Sequence, residues 1–274
     1  DFINLLLSYG ITGVTEVTPR NAPEDFLNYQ KHSAPLRMTI MGRPSLCDAT
    51  DKSTDRVSIG HVKLHYHDHD LPSLETLIQE IQEAHAQGRG VASHCVTHAE
   101  LMLTLAAIEA AGPSEKDRIE HAAIVTQDAL DWIKRLNIGV VTQPNFIVAR
   151  EQAYRQDIDK DMHPNLWRLG SFQKKEIPLA AGSDAPFGSF NPWQAIHAAI
   201  HRPVIFDDGE ALSPEKALRL YTTESTDMRI QRNIKIGSVA DLCLMHQSRN
   251  ALFKNPIKAK VHMTLIDGKI VYKS

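Results

Sequence analysis

Nowhere in the 274 residues does an apolar run approach the ~20 residues that a membrane-crossing helix requires. No membrane partner is therefore expected. Basic residues are not in excess either. The 30 Lys and Arg face 33 Asp and Glu, for a formal net charge of −3. A chain without a basic stripe lacks the electrostatic footprint of a nucleic-acid binder. Cysteine is scarce: Cys47, Cys95 and Cys243 are widely spaced and form no Cys-x-x-Cys pattern. That usage fits a reducing cytoplasm better than a secreted disulfide framework. No positively charged segment precedes the opening run Phe2-Ile3-Asn4-Leu5-Leu6-Leu7, so the N-terminus does not read as a signal peptide. It reads as the last turns of an amphipathic helix, entered at Asp1 and ended by Gly10. A fragment or a trimmed product is the expectation. Solenoid repeats and low-complexity tracts are absent as well.

What is present is an ordinary globular composition, 42% hydrophobic and 23% charged with 14 Gly and 14 Pro, enough for one large α/β domain or two small ones. Histidine stands out: the 14 imidazoles invite a search for metal ligands.

Along the chain, β-branched and apolar runs alternate with helical patterns. Strands are expected over 11–17, 36–41, 58–66, 91–96, 118–122 and 138–142, with a seventh running from Ile177 towards Asp184. Between them, Pro23 to Lys31 reads as helix. Ser73 caps a helix stopped by Gly88, His98 to Ala111 is closed by Gly112-Pro113, and Thr126 caps a helix through Leu136. Residues 43–57 and 150–165 read as polar loops, and Leu166 to Glu176 as a further helix. Asn191-Pro192-Trp193 opens the next helix, and Ser213-Pro214-Glu215 caps one through Tyr221. This alternation means parallel strands with crossover helices, and a doubly wound sheet and a barrel both satisfy it. The last 40 or so residues change character. Ala240 to Met245 is a short strand, and Asp267-Gly268 joins two more as a hairpin.

In a parallel barrel, chemistry sits at the carboxyl ends of the strands. His94, His121 and Asp184 each fall at or near such an end, and imidazole with carboxylate suits Zn²⁺ and similar divalent ions. Lys63 is a fourth candidate, able to bind metal only if its charge is removed. A lone strand histidine is more often a core residue than a ligand, and a lone lysine more often snorkels. Repetition at successive strand ends is what favours the metal reading. Gln143 and Asn145, at the tip of the 138–142 strand, are the candidate substrate-binding residues. His65-Tyr66-His67-Asp68-His69 is one residue short of the His-x-His-x-Asp-His of metallo-β-lactamases, and it lies outside the strand-rich context that fold needs. It reads as a solvated, His-rich loop near the rim.

Val62-Lys63-Leu64, Val91-Ala92-Ser93-His94, Arg118-Ile119-Glu120-His121 and Ala181-Gly182-Ser183-Asp184-Ala185-Pro186 resemble the amidohydrolase superfamily, most closely its amidohydrolase-3 (YtcJ-like) group. So do the closing Ile236-Gly237-Ser238-Val239-Ala240-Asp241-Leu242 and Leu265-Ile266-Asp267-Gly268-Lys269-Ile270-Val271.

The resemblance implies a (β/α)8 TIM-type barrel over 1–235, with its first strand missing, and strands of a small β-sandwich over 236–274. It implies a divalent metal ion, zinc being the expected one, at the carboxyl rim. His94 and His121 would be ligands, Lys63 would occupy the strand-four position that is carbamylated in some members, and Asp184 would be ligand and general base. The implied activity is hydrolysis of a C–N bond (amide, lactam, urea or carbamate) in a small molecule. The enzyme would be cytoplasmic, with a homo-oligomer as one possible assembly. The family's first-strand His-x-His pair has no counterpart in this sequence, nor has the first half of the sandwich. The group's usual His-Ala-x-Gly-Asp reads His94-Cys95-Val96-Thr97-His98. The alternatives are a metal-free or inactive barrel with a binding or structural role, and a doubly wound domain whose His and Asp residues are structural. A barrel lacking one strand presents two unpaired edges, which favour association.

Overall fold

Each of the seven expected runs forms a strand. A computed structural model of the chain describes residues 2–206 and 208–274. In chain order the strands are β1 (Gly13–Glu16), β2 (Arg37–Gly42), β3 (Val57–Leu64), β4 (Val91–Cys95), β5 (Arg118–His121), β6 (Gly139–Thr142) and β7 (Leu179–Ala181). They pair in sequence order, β1 to β7, every pair parallel. This is the arrangement of a curled TIM-type barrel less one strand. The doubly wound alternative is corrected by this order, because a doubly wound sheet reverses direction at a switch point. Among the described residues β1 pairs only with β2, and β7 only with β6. The Ala181 N–H at the β7 edge donates to the Leu220 carbonyl at 3.1 Å.

Helices cross between strands. They are α1 (Phe2–Ser8), α2 (Pro23–His32), α3 (Leu74–Ala86), α4 (His98–Ala111) and α5 (Gln127–Leu136), then α6 (Phe146–Ala149), α7 (Glu151–Asp157), α8 (Leu169–Lys174), α9 (Pro192–Ile200), α10 (Pro214–Arg219) and α11 (Arg249–Lys254). The expected caps at Ser73 and Thr126 are present, accepting from the Thr76 and Ala129 N–H groups, and Thr97 with Glu100 adds a reciprocal capping box before α4. The α1 helix is the one expected before Gly10, although Asp1 lies outside the described residues.

Two expected loops are helical. Pro44–Lys52 is a 3-10 helix whose Leu46 and Ala49 are buried, and 150–165 contains α7 and a 3-10 turn at Lys160–Asn165. Both segments are polar because little of them is buried, so no apolar period marks them. The expected 166–176 helix shortens to α8, because Trp167 takes a left-handed backbone (φ 50°) at its start.

Strand alternation sets the barrel. Val62, Leu64, Val91, Cys95 and Ile119 point outward and pack with Leu101, Leu105 and Ile108 of α4 and Leu130 and Ile133 of α5, all fully or nearly fully buried. Burying each such side chain contributes about 1.5–3 kcal/mol. The intervening residues of β3 and β5, His61, Lys63, Arg118 and Glu120, face the other way and are buried too. Charge therefore fills the barrel interior. The remaining strands, β8 (Leu242–Met245), β9 (Val261–Ile266) and β10 (Lys269–Lys273), form a separate antiparallel sheet in the order β10-β9-β8. Arg37 of β2 holds this sheet through Asp241 (2.7 Å) and Asp267, and Arg56 adds a bond to Asp267 at 2.8 Å.

Candidate metal centre

Alternation delivers the first members of the site. On β4, Val91 and Cys95 face the helices, so Ala92 and His94 face the barrel interior. On β5, Ile119 faces the helices, and a regular strand would turn His121 outward with it. A left-handed backbone at His121 (φ 70°) and Ala122 (φ 49°) breaks that alternation at the rim. The two imidazoles face each other with ring centroids 4.6 Å apart. Asp184, three residues past the end of β7, is also left-handed (φ 51°). Such a backbone costs a non-glycine residue about 1–2 kcal/mol, and strain of this kind concentrates where geometry serves a site. The loop after Asp184 folds back tightly. A side chain at Gly188 would put its Cβ 2.1 Å from the Ser183 carbonyl oxygen, so only glycine fits.

The electrostatics favour neutral imidazoles with free lone pairs. Burial, helped by the charges of His121 and Lys63, pushes His94 down to about 2. Burial and Lys63 push His121 down to about 4. The His121 Nδ1–H donates to Gln143 Oε1 at 2.7 Å, which fixes the tautomer and leaves Nε2 as an acceptor. Burial raises Asp184, with Lys63 and Arg150 acting against it. Lys63 is 8% exposed, and its Nζ has no protein partner. Burial lowers its pKa, and the negative charge of Glu120 opposes that shift. Burial alone would raise Glu120, but Arg118, whose Nε donates to it at 2.7 Å, and Lys63 bring it below the ordinary carboxylate value.

Of the two candidate substrate-binding residues, Gln143 is buried with its carbonyl oxygen engaged by His121. Asn145 is buried at the start of α6, and its Oδ1 has no protein partner.

The His-rich stretch, expected as a solvated loop, brings His65 and His67 over His94. Ring centroids of His65 and His67 lie 4.4 Å and 5.1 Å from that of His94. One donor nitrogen from each of the three comes within 4.8 Å of the others, a group able to hold a metal ion. The signal was periodic. His61, Lys63, His65 and His67 continue one face of β3 beyond the strand, while Tyr66 turns outward and donates to Glu80 at 2.7 Å. Arg118 and Glu120 pair inside β5, and a charged pair within a buried strand is itself a signal of a filled interior.

The donor set therefore fits a divalent ion. It offers the His94 and His121 imidazoles in contact, three histidine nitrogens within 4.8 Å of one another at His65, His67 and His94, and a buried amine lacking a protein partner, with Asp184 outside the three-histidine group. Imidazole nitrogens suit divalent transition-metal ions better than calcium or magnesium.

Comparison with known proteins agrees. The profile of the amidohydrolase family, Amidohydro_3, matches residues 1–272. The putative amidohydrolase YtcJ of Bacillus subtilis (strain 168) is 26% identical over 213 residues, 73% of this chain and 40% of that protein. A metal-dependent hydrolase of uncharacterised function from Pyrococcus furiosus superposes with a TM-score of 0.69 at 25% identity, over 80% of this chain and 52% of its own. A triazine hydrolase variant shares the fold, with a TM-score of 0.72 at 14% identity, over 99% of this chain and 70% of its own. The chain thus spans about half or less of the first two relatives.

Proposed function

The chain belongs to the amidohydrolase family, and from that premise we propose that it forms part of a metal-dependent hydrolase cleaving a C–N bond of an amide, lactam, urea or carbamate. Residues 1–235 would be the hydrolase barrel and 236–274 strands of a small β-sandwich. The observation that carries the reading is the pair His94 and His121. They are two neutral imidazoles in contact at the carboxyl ends of adjacent parallel strands, where barrel enzymes place their chemistry.

In this reading His94, His121 and Asp184 would hold the ion, with Lys63 as a fourth candidate, and zinc is the expected metal. When bound, such an ion supplies Lewis acidity towards a carbonyl and acidifies water. The chain's own residues do the rest. Asp184, made more basic by burial, accepts a proton from the attacking water at a carboxylate oxygen and delivers it to the departing nitrogen. The C–O bond forms as the C–N bond breaks, and the proton count closes on Asp184. Gln143 fixes His121 through Nδ1, and Asn145 offers its unpartnered Oδ1 to an N–H of the substrate. Among the described residues no helix is long and apolar enough to cross a membrane, and a cytoplasmic enzyme acting on a small molecule is the proposal.

The test is a panel of amides, lactams, ureas and carbamates assayed with the metal-loaded protein and with its Asp184→Asn variant. Turnover of one class that is lost in the variant supports the assignment. Turnover that survives the substitution removes Asp184 from its role.

A further inference from the structure

The His-rich loop after β3 is the feature that the proposed function does not use. Three observations converge on it. First, its alternation is that of the strand it leaves. His65 and His67 share the inward face with Lys63, while Tyr66 faces α3 and bonds Glu80. Second, the loop is fastened over His94. The Thr97 hydroxyl donates to Asp68 at 2.6 Å, and Thr97 is the N-cap of α4, three residues past His94. Asp70 accepts from the His67 N–H at 2.6 Å, and its own N–H donates to the His67 carbonyl at 2.9 Å. Third, the donor nitrogens of His65, His67 and His94 already lie within 4.8 Å of one another. A tetrahedral ion with Zn–N near 2.0–2.1 Å needs donors about 3.3 Å apart. Two exposed imidazoles reach that by rotating about their side-chain bonds.

We propose that His65 and His67 join His94 in binding a divalent transition-metal ion, so that the loop after β3 brings its own His-x-His pair to the rim. The inference rests on the metal-centre reading above and changes its ligand set. Two ligands come from the loop, one from β4, and the ion sits towards the β3 side of the rim. Three imidazoles with an open fourth position are a donor set that suits Zn²⁺, Co²⁺ or Cu²⁺ and disfavours Ca²⁺ and Mg²⁺. His69 stacks on His67 with centroids 5.7 Å apart and lies outside the three-nitrogen group, which makes it the internal control.

The experiment is a Co²⁺ titration of the protein followed by visible absorption, with Zn²⁺ competition to give affinity. It is run on the wild type and on His67→Ala, His65→Ala, His69→Ala and His121→Ala, each checked by circular dichroism. His65, His67 and His69 are exposed, so their removal spares the core. Loss of an outer-shell partner alone costs about 10–100-fold in metal affinity, and loss of a ligand is expected to cost at least that. The inference predicts weakening of about a hundredfold or more in His67→Ala and His65→Ala, with His69→Ala at the wild-type value. Unchanged affinity in His67→Ala and His65→Ala, with loss in His121→Ala, would overturn it and leave the metal-dependent hydrolase standing. A wild-type protein that binds neither Co²⁺ nor Zn²⁺ overturns both.

Discussion

His121 and Gln143 are joined by a 2.7 Å hydrogen bond from Nδ1 to Oε1, across the rim from β5 to the residue after β6. The bond decides which nitrogen of the imidazole remains a donor of electrons, and it makes Gln143 an orienting residue for the centre. Gln143→Ala removes the acceptor and frees the ring. With His121 among the ligands, as in the proposed function, zinc affinity read by competition with a chromophoric chelator should fall about 10–100-fold. Gln143→Glu keeps an acceptor at the same place and should stay within a few-fold of wild type. Equal affinity in all three proteins would show that His121 needs no such restraint.

Asp184 is held in a left-handed conformation, with its pKa raised by burial. Replacing it by Asn keeps the volume and removes the basic oxygen. Turnover should drop by about 10²–10⁴, the usual contribution of a positioned base, with the melting temperature little changed. A variant that unfolds would instead mark Asp184 as a structural residue.

Lys63 is the residue whose chemical state separates a one-metal from a two-metal centre. Glu120 is buried within its electrostatic reach, and an anion there opposes a second anion at Nζ. The account therefore expects an unmodified amine and one equivalent of metal. Electron density for a carboxylated Lys63 between two ions, or two equivalents by elemental analysis, contradicts it.

Acid should unfold the metal-free protein early. Burial pushes His61 to about 3 and His121 to about 4, against an ordinary 6.5. Both folded values lie below the unfolded one, so between them the unfolded chain binds more protons. Stability is then full above about pH 6.5 and falls as pH drops from there towards the folded values. The slope approaches about 1.4 kcal/mol per pH unit for each such histidine. Urea midpoints taken between about pH 7 and pH 5 should decline, less steeply in His61→Leu. A flat profile over that interval contradicts buried, neutral histidines.

The fold was legible because its strands are short β-branched runs separated by well-capped helices. Ser73 and Thr126 carry their caps in the sequence, and they cap in the structure. Sequence order alone left the barrel and the doubly wound sheet equal, because pairing between distant strands leaves no local trace. The 44–52 and 151–157 helices bury few side chains, so little in their sequence marks them. In the site, His94 and His121 were legible as strand-end histidines. Their contact depends on a left-handed turn at His121 that no local pattern announces. His65 and His67 were legible in principle as the continuation of the His61-x-Lys63 face. A polar, histidine-rich stretch looks like any solvated loop until Asp68 and Asp70 are seen to fasten it.

The most direct test of a metal centre at His94 is anomalous scattering at the zinc edge from crystals of the protein grown with Zn²⁺. The account predicts one peak at the carboxyl rim, about 2.0–2.1 Å from an imidazole nitrogen of His94. A rim without a peak, or a peak bound elsewhere on the molecule with His94 unligated, would contradict it.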